Sequence, residues 1–213
     1  MKKTIAIVDY GFGNVQSIKN ALNKFDVEVL LTHDRDTILN ADGLLLPGVG
    51  AYKKAMQELV ARGLDTTIRE FVETNKMFLG ICLGMQLLFK SSEEFGKSTG
   101  LGILKGNVIK FPVKNDVKLP HVSWNSIGVA DISWGNTILE SVSNNVDFYF
   151  VHSFVCVPEN NNNILAIAEY GGVNFCAAIK ERNIYGCQFH PEKSADTGLK
   201  IMSEFVGMVN HHS

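Results

Sequence analysis

The first ninety residues alternate between strand and helix patterns, and this alternation constrains the fold more than any other feature of the sequence. Apolar runs typical of buried strands lie at residues 4–8, 27–31, 43–46 and 77–81. Apolar residues at helical spacing lie at 14–25, 52–60 and 65–74, and a further helix is predicted to begin at 85–89. Asn14 is the predicted N-cap of the first helix. Strands joined by helical crossovers form parallel sheets, so we expect an α/β fold.

The pattern changes after about residue 100, where short strand-like runs alternate with turns. These runs lie at 108–111, 122–129, 148–157, 164–168, 175–179 and 184–189, and a last helix is predicted around 199–209. No Pro- or Ser-rich linker separates the two halves. We therefore expect residues 1–213 to form a single domain with a central, mostly parallel sheet, flanking helices and an antiparallel β extension.

Charge and cysteine content narrow the functional class. The chain contains twenty Lys and Arg and twenty-two Asp and Glu, which gives a formal net charge of −2. Since it has no basic tract, we expect no nucleic acid partner. The longest uncharged apolar stretch, 77–89, is shorter than the ~18 residues of a membrane span. The four cysteines have no Cys-x-x-Cys and no zinc spacing, which fits a reducing compartment. We therefore expect a soluble, cytoplasmic protein, and no metal site. His33 and His121 have no ligand-spaced neighbours and are expected at the surface or in turns.

One cysteine has an unusual neighbourhood. Gly80-Ile81-Cys82-Leu83-Gly84 lies between a predicted strand and a predicted helix, in the pattern of a nucleophile elbow with Cys in place of Ser. At a helix N-terminus the thiolate is favoured, so Cys82 is expected to be exposed and reactive. The alternative is a core cysteine flanked by two glycines by chance. The remaining cysteines lie in strand-like runs and are expected to be buried and structural: Cys156, Cys176 and Cys187.

A base and an orienting carboxylate follow late in the chain, in His190-Pro191-Glu192. Proline favours an extended conformation for the residue before it, and positions i and i+2 of an extended segment point to the same side. His190 can then face the thiol while Glu192 binds its other ring nitrogen. Alone, this tripeptide is more often a turn; together with the elbow it predicts a triad of Cys82, His190 and Glu192.

Acyl transfer also needs N–H donors aimed at the developing oxyanion. The N–H of Leu83 is one candidate. The loop Gly48-Val49-Gly50 ends a strand at the same edge of the sheet, so Val49 and Gly50 are candidates for the second donor. This loop can turn its N–H groups toward the site or away from it, and the two orientations would form a switch.

These motifs resemble the class I (triad) glutamine amidotransferase family. The resemblance rests on the order and spacing of Pro47-Gly48-Val49-Gly50, residues 80–86 and Phe189-His190-Pro191-Glu192. Within the family, further stretches are most similar to the branch called HisH, the glutaminase subunits of imidazole glycerol phosphate synthase. They are 9–14, 51–56, 120–125, 149–154 and 193–194.

The resemblance implies that Cys82 attacks the side-chain amide of glutamine and releases glutamate and ammonia without a cofactor. Ammonia would pass to a HisF-like cyclase with a (β/α)₈ barrel, in a heterodimer that makes imidazole glycerol phosphate for histidine biosynthesis. The family pattern assigns the glutamine pocket to Gly50, Gln86, Glu94, Ser153 and Phe154. Candidates for the partner interface are Asn14, Trp124 and Lys193.

Three alternatives stay open at this stage. Phe154 stands where the family often has Tyr, so any hydrogen bond that the family makes through that hydroxyl is absent. Val122-Ser123 stands where Met-Gly is commoner, so the chain could be a paralogue that supplies another synthase. A stand-alone cysteine hydrolase would act on peptides or small amides without a partner; Gln86 and the pocket residues speak against it. A non-catalytic binding subunit would not need all three triad residues.

Overall fold

The computed structural model describes residues 2–114 and 117–211. The strands are β1 Thr4–Val8, β2 Glu28–Thr32, β3 Gly43–Leu46, β4 Met77–Ile81, β5 Phe89–Ser92, β6 Ser98–Thr99, β7 Leu104–Lys110, β8 His121–Val129, β9 Val146–His152, β10 Phe154–Pro158, β11 Ile164–Tyr170, β12 Val173–Glu181 and β13 Ile184–Cys187. The α-helices are α1 Val15–Leu22, α2 Arg35–Asn40, α3 Tyr52–Ala61, α4 Leu64–Glu73, α5 Leu83–Leu87 and α6 Ala195–His211. Short 3-10 helices cover Asn161–Asn163 and Pro191–Lys193.

The predicted α/β class is confirmed by a nine-stranded mixed sheet in the order β2-β1-β3-β4-β13-β12-β11-β8-β9. The pairs from β2 to β13 are parallel, and those from β13 to β9 are antiparallel. The carboxyl ends of parallel strands meet at one edge of a sheet. The segments that follow β3, β4 and β13 therefore emerge side by side, and these segments carry the predicted functional motifs.

Helices cover both faces of the parallel half because its strands are apolar on both sides. Side chains alternate between the two faces: in β1, Ile5 and Ile7 belong to the core shared with α1 and α6, while Ala6 and Val8 belong to the core shared with α2, α3 and α4. Among the described residues, no helix is both long and apolar enough to cross a membrane.

A second, four-stranded sheet in the order β10-β7-β5-β6 was not predicted. The run 148–157 was predicted as one strand, but the chain leaves the large sheet at Ser153 and continues as β10 in the small one. The helix predicted to begin at 85–89 is present as α5, but its extent was wrong, since α5 begins at Leu83 and ends at Leu87, and Phe89 starts β5. Both segments are apolar and largely buried, and a short buried run does not by itself distinguish strand from helix.

Two details at helix starts also differ from expectation. The Asn14 side chain makes no capping hydrogen bond to α1. Helix α2, which was not predicted, has a side-chain cap, because Asp34 accepts from the Thr37 N–H at 2.8 Å. It escaped sequence analysis because Ile38 is its one buried residue, which leaves no apolar periodicity to detect.

Candidate active site

Cys82 lies on a tight turn between β4 and α5, with a positive φ of 53°. Its N–H donates to the Cys187 carbonyl at 2.7 Å, which fixes the turn to β13. A Cβ at Gly84 would lie 1.9 Å from the Leu46 carbonyl oxygen, and a Cβ at Gly80 would lie 2.9 Å from the Gly84 carbonyl. Only glycine permits these approaches, so the elbow predicted from the sequence has its physical basis in backbone-to-backbone packing.

The Cys82 side chain is not exposed, which corrects the sequence expectation. The residue is 6% exposed and lines a cavity of about 230 Å³. Its sulfur lies 3.9 Å from the Val151 carbonyl oxygen and 3.7 Å from the Gln188 amide nitrogen. The elbow places the sulfur at the edge of the sheet, where β9 covers the sulfur. A reactant therefore reaches the sulfur only through the cavity.

The remaining cysteines are buried, as predicted, and lie in or next to the sheets. They are Cys156, Cys176 and Cys187. Burial raises the pKa of each of these thiols, so they stay protonated and unreactive at neutral pH.

His190 and Glu192 form a buried hydrogen-bonded pair. His190 Nδ1 lies 2.8 Å from Glu192 Oε1, and each side chain is 1% exposed. The His190 N–H donates to the Tyr149 carbonyl at 2.9 Å, which ties this segment to β9. Although burial lowers it, the neighbouring Cys82 and Glu192 raise the pKa of His190 to about 10. The imidazole is therefore protonated at both ring nitrogens, and positively charged, at neutral pH. Its Nε2 makes no hydrogen bond to any described residue.

The cavity brings together the residues predicted from different parts of the chain. Its lining contains Val49, Gly50, Cys82, Leu83, Gln86, Glu94, Ser153, Phe154 and His190. It also contains three residues that sequence analysis missed: Pro120, Val151 and His152. Glu192 does not line it and lies behind the imidazole. The volume is below the ~300 Å³ at which pockets for drug-sized ligands begin, which indicates a small reactant.

Glu94 places a carboxylate in this cavity. Its Oε2 accepts the Tyr52 N–H at 2.5 Å, at the start of α3, where Ala51 offers no capping side chain. The positive end of the helix dipole thus fixes the carboxylate in place. A fixed anion in a small cavity is chemically suited to bind a substrate ammonium group.

Two buried glutamines connect the cavity wall to the sulfur. Gln86 Nε2 donates to the Phe154 carbonyl at 3.2 Å and to Gln188 Oε1 at 2.9 Å. Gln188 Nε2 in turn donates to the Cys82 sulfur at 3.7 Å. Gln188 was missed by sequence analysis. Its only sequence signal is an uncharged polar side chain at the end of an apolar strand run.

The candidate oxyanion donors lie on both sides of the elbow. Leu83 is the first residue of α5, so its N–H has no partner within the helix. A Cβ at Gly48 would lie 2.8 Å from the Gly84 nitrogen, which shows that the glycine loop packs directly on the elbow. Gly50 has a φ of +97° and Val49 is 38% exposed. A donor role for Val49 or Gly50 stays a prediction.

Two of the predicted interface residues, Trp124 and Lys193, lie near His190, with the Tyr149 ring between them. Trp124 is half-exposed and its ring lies 6.2 Å from that of Tyr149. Lys193 Nζ lies 5.7 Å from the same Tyr149 ring, which is itself 6.4 Å from the His190 ring. Asn14 precedes α1, and that helix packs against the 3-10 helix that contains Lys193. The three residues are therefore compatible with one surface, and their role as an interface stays a prediction.

Two buried histidines form a pair at the cavity, which His152 lines, and this corrects the expectation that His121 lies at the surface or in a turn. His121 is fully buried, and its Nδ1 is 3.2 Å from Nε2 of His152. His152 Nδ1 donates to the Phe154 carbonyl at 2.9 Å, and Ser123 Oγ lies 2.8 Å from His121 Nε2. Burial lowers the pKa of His121 to about 4 and that of His152 to about 3, so both rings are neutral at pH 7.

We expect this pair to make the protein acid-sensitive between pH 6.5 and 4. Both folded-state pKa values lie below the ordinary 6.5, so the unfolded chain binds more protons in this window and the free energy of unfolding falls as the pH falls. Each histidine contributes a slope of up to about 1.4 kcal/mol per pH unit. Urea unfolding at pH 7, 6 and 5 should show a shallower slope for His121→Gln than for the wild type.

The control is His33→Gln, which changes an exposed histidine and should leave the slope unchanged. Equal slopes for wild type and His121→Gln would contradict the assignment of a neutral, buried imidazole.

Comparison with known proteins gives a consistent result across nearly the whole chain. A family model described as glutamine amidotransferase class-I matches residues 6–207. The chain is 42% identical over 209 residues to imidazole glycerol phosphate synthase subunit HisH 1 of Legionella pneumophila (strain Lens), covering 95% of this chain and 98% of that protein. It is 43% identical over 205 residues to subunit HisH of Caldanaerobacter subterraneus, covering 96% and 98%.

Solved structures with low sequence identity share the fold. The structure of PurLQS from Thermotoga maritima matches with a TM-score of 0.72 at 19% identity, covering 97% of this chain and 99% of that one.

Proposed function

Because the chain belongs to the class I glutamine amidotransferase family, we propose that Cys82, His190 and Glu192 are its catalytic triad and that its ammonia goes to a HisF-like cyclase subunit. The chain is an enzyme that hydrolyses glutamine to glutamate and ammonia. The observation that carries the triad is that His190 lies next to Cys82 in a cavity lined by every residue predicted to bind glutamine, while Glu192 binds its other ring nitrogen from outside the cavity. The match over residues 6–207 supports a single amidotransferase domain for residues 1–213.

The geometry supports a two-step acyl transfer. The Cys82 thiolate attacks the side-chain amide carbon of glutamine, while N–H donors from Leu83 and the 48–50 loop stabilise the oxyanion. The tetrahedral intermediate collapses when the C–N bond breaks, and the leaving nitrogen takes the proton from His190 Nε2, so that ammonia departs and a glutamyl thioester remains. Neutral His190 then removes a proton from water, which attacks the thioester carbon. The C–S bond then breaks, which leaves Cys82 as the thiolate and His190 with the proton taken from water, so the thiolate–imidazolium pair is restored. The new carboxyl group of glutamate loses its own proton to solvent.

The cavity fits the remainder of glutamine. Glu94 is the anionic partner for the α-ammonium group, and Gln86, Ser153 and Phe154 line the same cavity as the glycine loop. Glu192 keeps one imidazole nitrogen hydrogen-bonded, so that the other faces the sulfur. The role proposed for each of these residues follows from where it lies relative to the Cys82 sulfur.

The partner and the compartment are the finer parts of the proposal. The relatives are named as subunits of imidazole glycerol phosphate synthase, which supports a heterodimer with a cyclase and a role in histidine biosynthesis. The half-exposed Trp124 ring next to Tyr149 and Lys193 is the proposed contact surface, with Asn14 at its edge. The four free cysteines support a reducing cytoplasm.

The proposal is tested by assaying glutamate release by the purified chain with and without the HisF-type subunit from the same organism. We expect slow hydrolysis by the chain alone and acceleration of at least about tenfold in the complex, equal to about 1.4 kcal/mol off the barrier. Carboxyl-blocked peptides and asparagine serve as control substrates. Full-rate hydrolysis without the partner would contradict the proposed activation by the partner. Preference for peptides over glutamine would favour a stand-alone hydrolase.

A paralogous role is distinguished by the acceptor. With the HisF-type subunit, glutamine should support formation of imidazole glycerol phosphate. If the two chains fail to associate, and affinity purification from the native organism yields a different synthase, the histidine-pathway assignment is wrong while the glutaminase assignment stands.

A further inference from the structure

Gln188 is a fully buried polar residue that the mechanism above does not use. Its backbone N–H donates to the Ala177 carbonyl at 2.8 Å, so the residue is tied to β12 directly after β13 ends. Both polar atoms of its side-chain amide are hydrogen-bonded: Oε1 accepts from Gln86, and Nε2 donates to the Cys82 sulfur. A buried amide with both ends engaged and a pinned backbone has one orientation.

The direction of this amide follows from the groups around it. The Phe154 carbonyl can only accept hydrogen bonds, so Gln86 must present its nitrogen there, at 3.2 Å. The same nitrogen faces Gln188, which must therefore present its oxygen to Gln86 and its nitrogen to the sulfur. The reversed orientation would place two NH₂ groups face to face. Gln188 is thus fixed as a hydrogen-bond donor toward Cys82.

The Phe154 carbonyl is itself held by the histidine pair. His152 Nδ1 must donate to it, so the neutral His152 ring accepts at Nε2, and His121 must donate there from Nδ1. Ser123 Oγ then donates to the remaining His121 nitrogen. Each polar group in this chain of hydrogen bonds, which begins at Ser123 and ends at Gln188, has a single role as donor or acceptor. The Phe154 carbonyl that orients Gln86 is therefore held in its direction.

We propose that Gln188 is a positioning residue that holds the ionised Cys82 sulfur in place, with its donor end directed by Gln86. A protonated thiol can donate to the Val151 carbonyl 3.9 Å away. A thiolate cannot donate a hydrogen bond, but it is stabilised by the Gln188 donor 3.7 Å away. Gln188 therefore favours the thiolate and directs it away from Val151. This inference deepens the proposed function, because it takes Cys82 to be the nucleophile.

The test is the pH dependence of Cys82 alkylation by iodoacetamide, followed by mass spectrometry of the peptide that contains Cys82. Gln188→Met keeps the approximate size of the side chain and removes the donor. We expect the pH midpoint of alkylation to rise by about one unit, which lowers the rate about tenfold at a pH below both midpoints. The matched control is Gln57→Met, the same change at an exposed position on α3, which should leave the profile unchanged.

The comparison isolates Gln188 because the other titratable groups around the sulfur are the same in all three proteins. Tyr10, Cys156 and His190 interact electrostatically with Cys82, His152 and Glu94 line the same cavity, and Glu192 binds His190. Alkylation needs no glutamine, so this inference and the proposed function can fail separately. Identical profiles for the wild type and Gln188→Met would overturn the proposal.

A second measurement needs no substitution at Gln188 and covers the case in which that variant does not fold. The side-chain NH₂ resonances of Gln188 should shift through the same pH midpoint as Cys82 alkylation in the wild-type protein, and this step should vanish in Cys82→Ala. If the resonances do not follow the ionisation of the sulfur, Gln188 does not donate to it.

Discussion

The variant Cys82→Ala should abolish glutamine-dependent synthesis in the complex while leaving synthesis from added ammonium intact. The sulfur is the only proposed nucleophile in the cavity, and removing a triad nucleophile lowers turnover by about 10⁴-fold or more. In the proposed complex the acceptor chemistry belongs to the partner subunit, so ammonium supplied from solution should bypass the loss. The measurement is product formation with glutamine and, separately, with ammonium chloride, at equal concentrations of both subunits.

Cys176→Ala is the matched control, since it removes a buried thiol from β12 outside the cavity. It should retain both activities. Loss of both activities in Cys82→Ala, with the complex still assembled, would mean that this residue is structural or that the ammonia acceptor is misassigned.

The second large effect concerns the other two positions of the proposed triad. His190→Ala should lower glutamine hydrolysis by about 10⁴-fold or more, because the leaving ammonia and the attacking water both lose their proton carrier. Glu192→Ala should be milder, by about one to two orders of magnitude, since the carboxylate acts only through the imidazole that it binds at 2.8 Å. The measurement is the kcat for glutamate release by the partner-bound complex.

Both positions are buried, so folding must be monitored alongside activity. The free energy of unfolding of each variant from urea titration separates a loss of chemistry from a loss of structure. Glu192→Gln provides the closest control for shape, because it keeps a group that can accept from His190 Nδ1. Equal losses of kcat at the two positions, in folded variants, would argue against the assignment of Glu192 as the orienting group.

Much of the fold follows from local patterns in the sequence. The bounds of β1, β3 and β4 agree with their apolar runs, since a strand that is buried on both faces leaves an uninterrupted apolar signature. The elbow is equally local, because the glycines at 80 and 84 and the sharp turn between them lie within five consecutive residues. His190 and Glu192 are two positions apart, so their pairing also followed from backbone geometry.

Other features depend on how distant segments pack. The strand break at Ser153 creates a wall of the cavity, yet the run around it is largely apolar. The covering of Cys82 by β9 likewise depends on a neighbour 69 positions away in the chain. The exposure of a side chain depends on which distant segments pack over it. The local periodicity of the sequence contains no information about those segments.

The sequence by itself determined the α/β class, the elbow and the three triad candidates, because each rests on the conformation of a few consecutive residues. Only the tertiary structure decided that Gln188 reaches Gln86, 102 positions away, and the Cys82 sulfur, 106 positions away. It also decided that His121 and His152 form a buried neutral pair. Such contacts require the strand order of the whole sheet, and that order is set by the packing of all elements together rather than by any one segment.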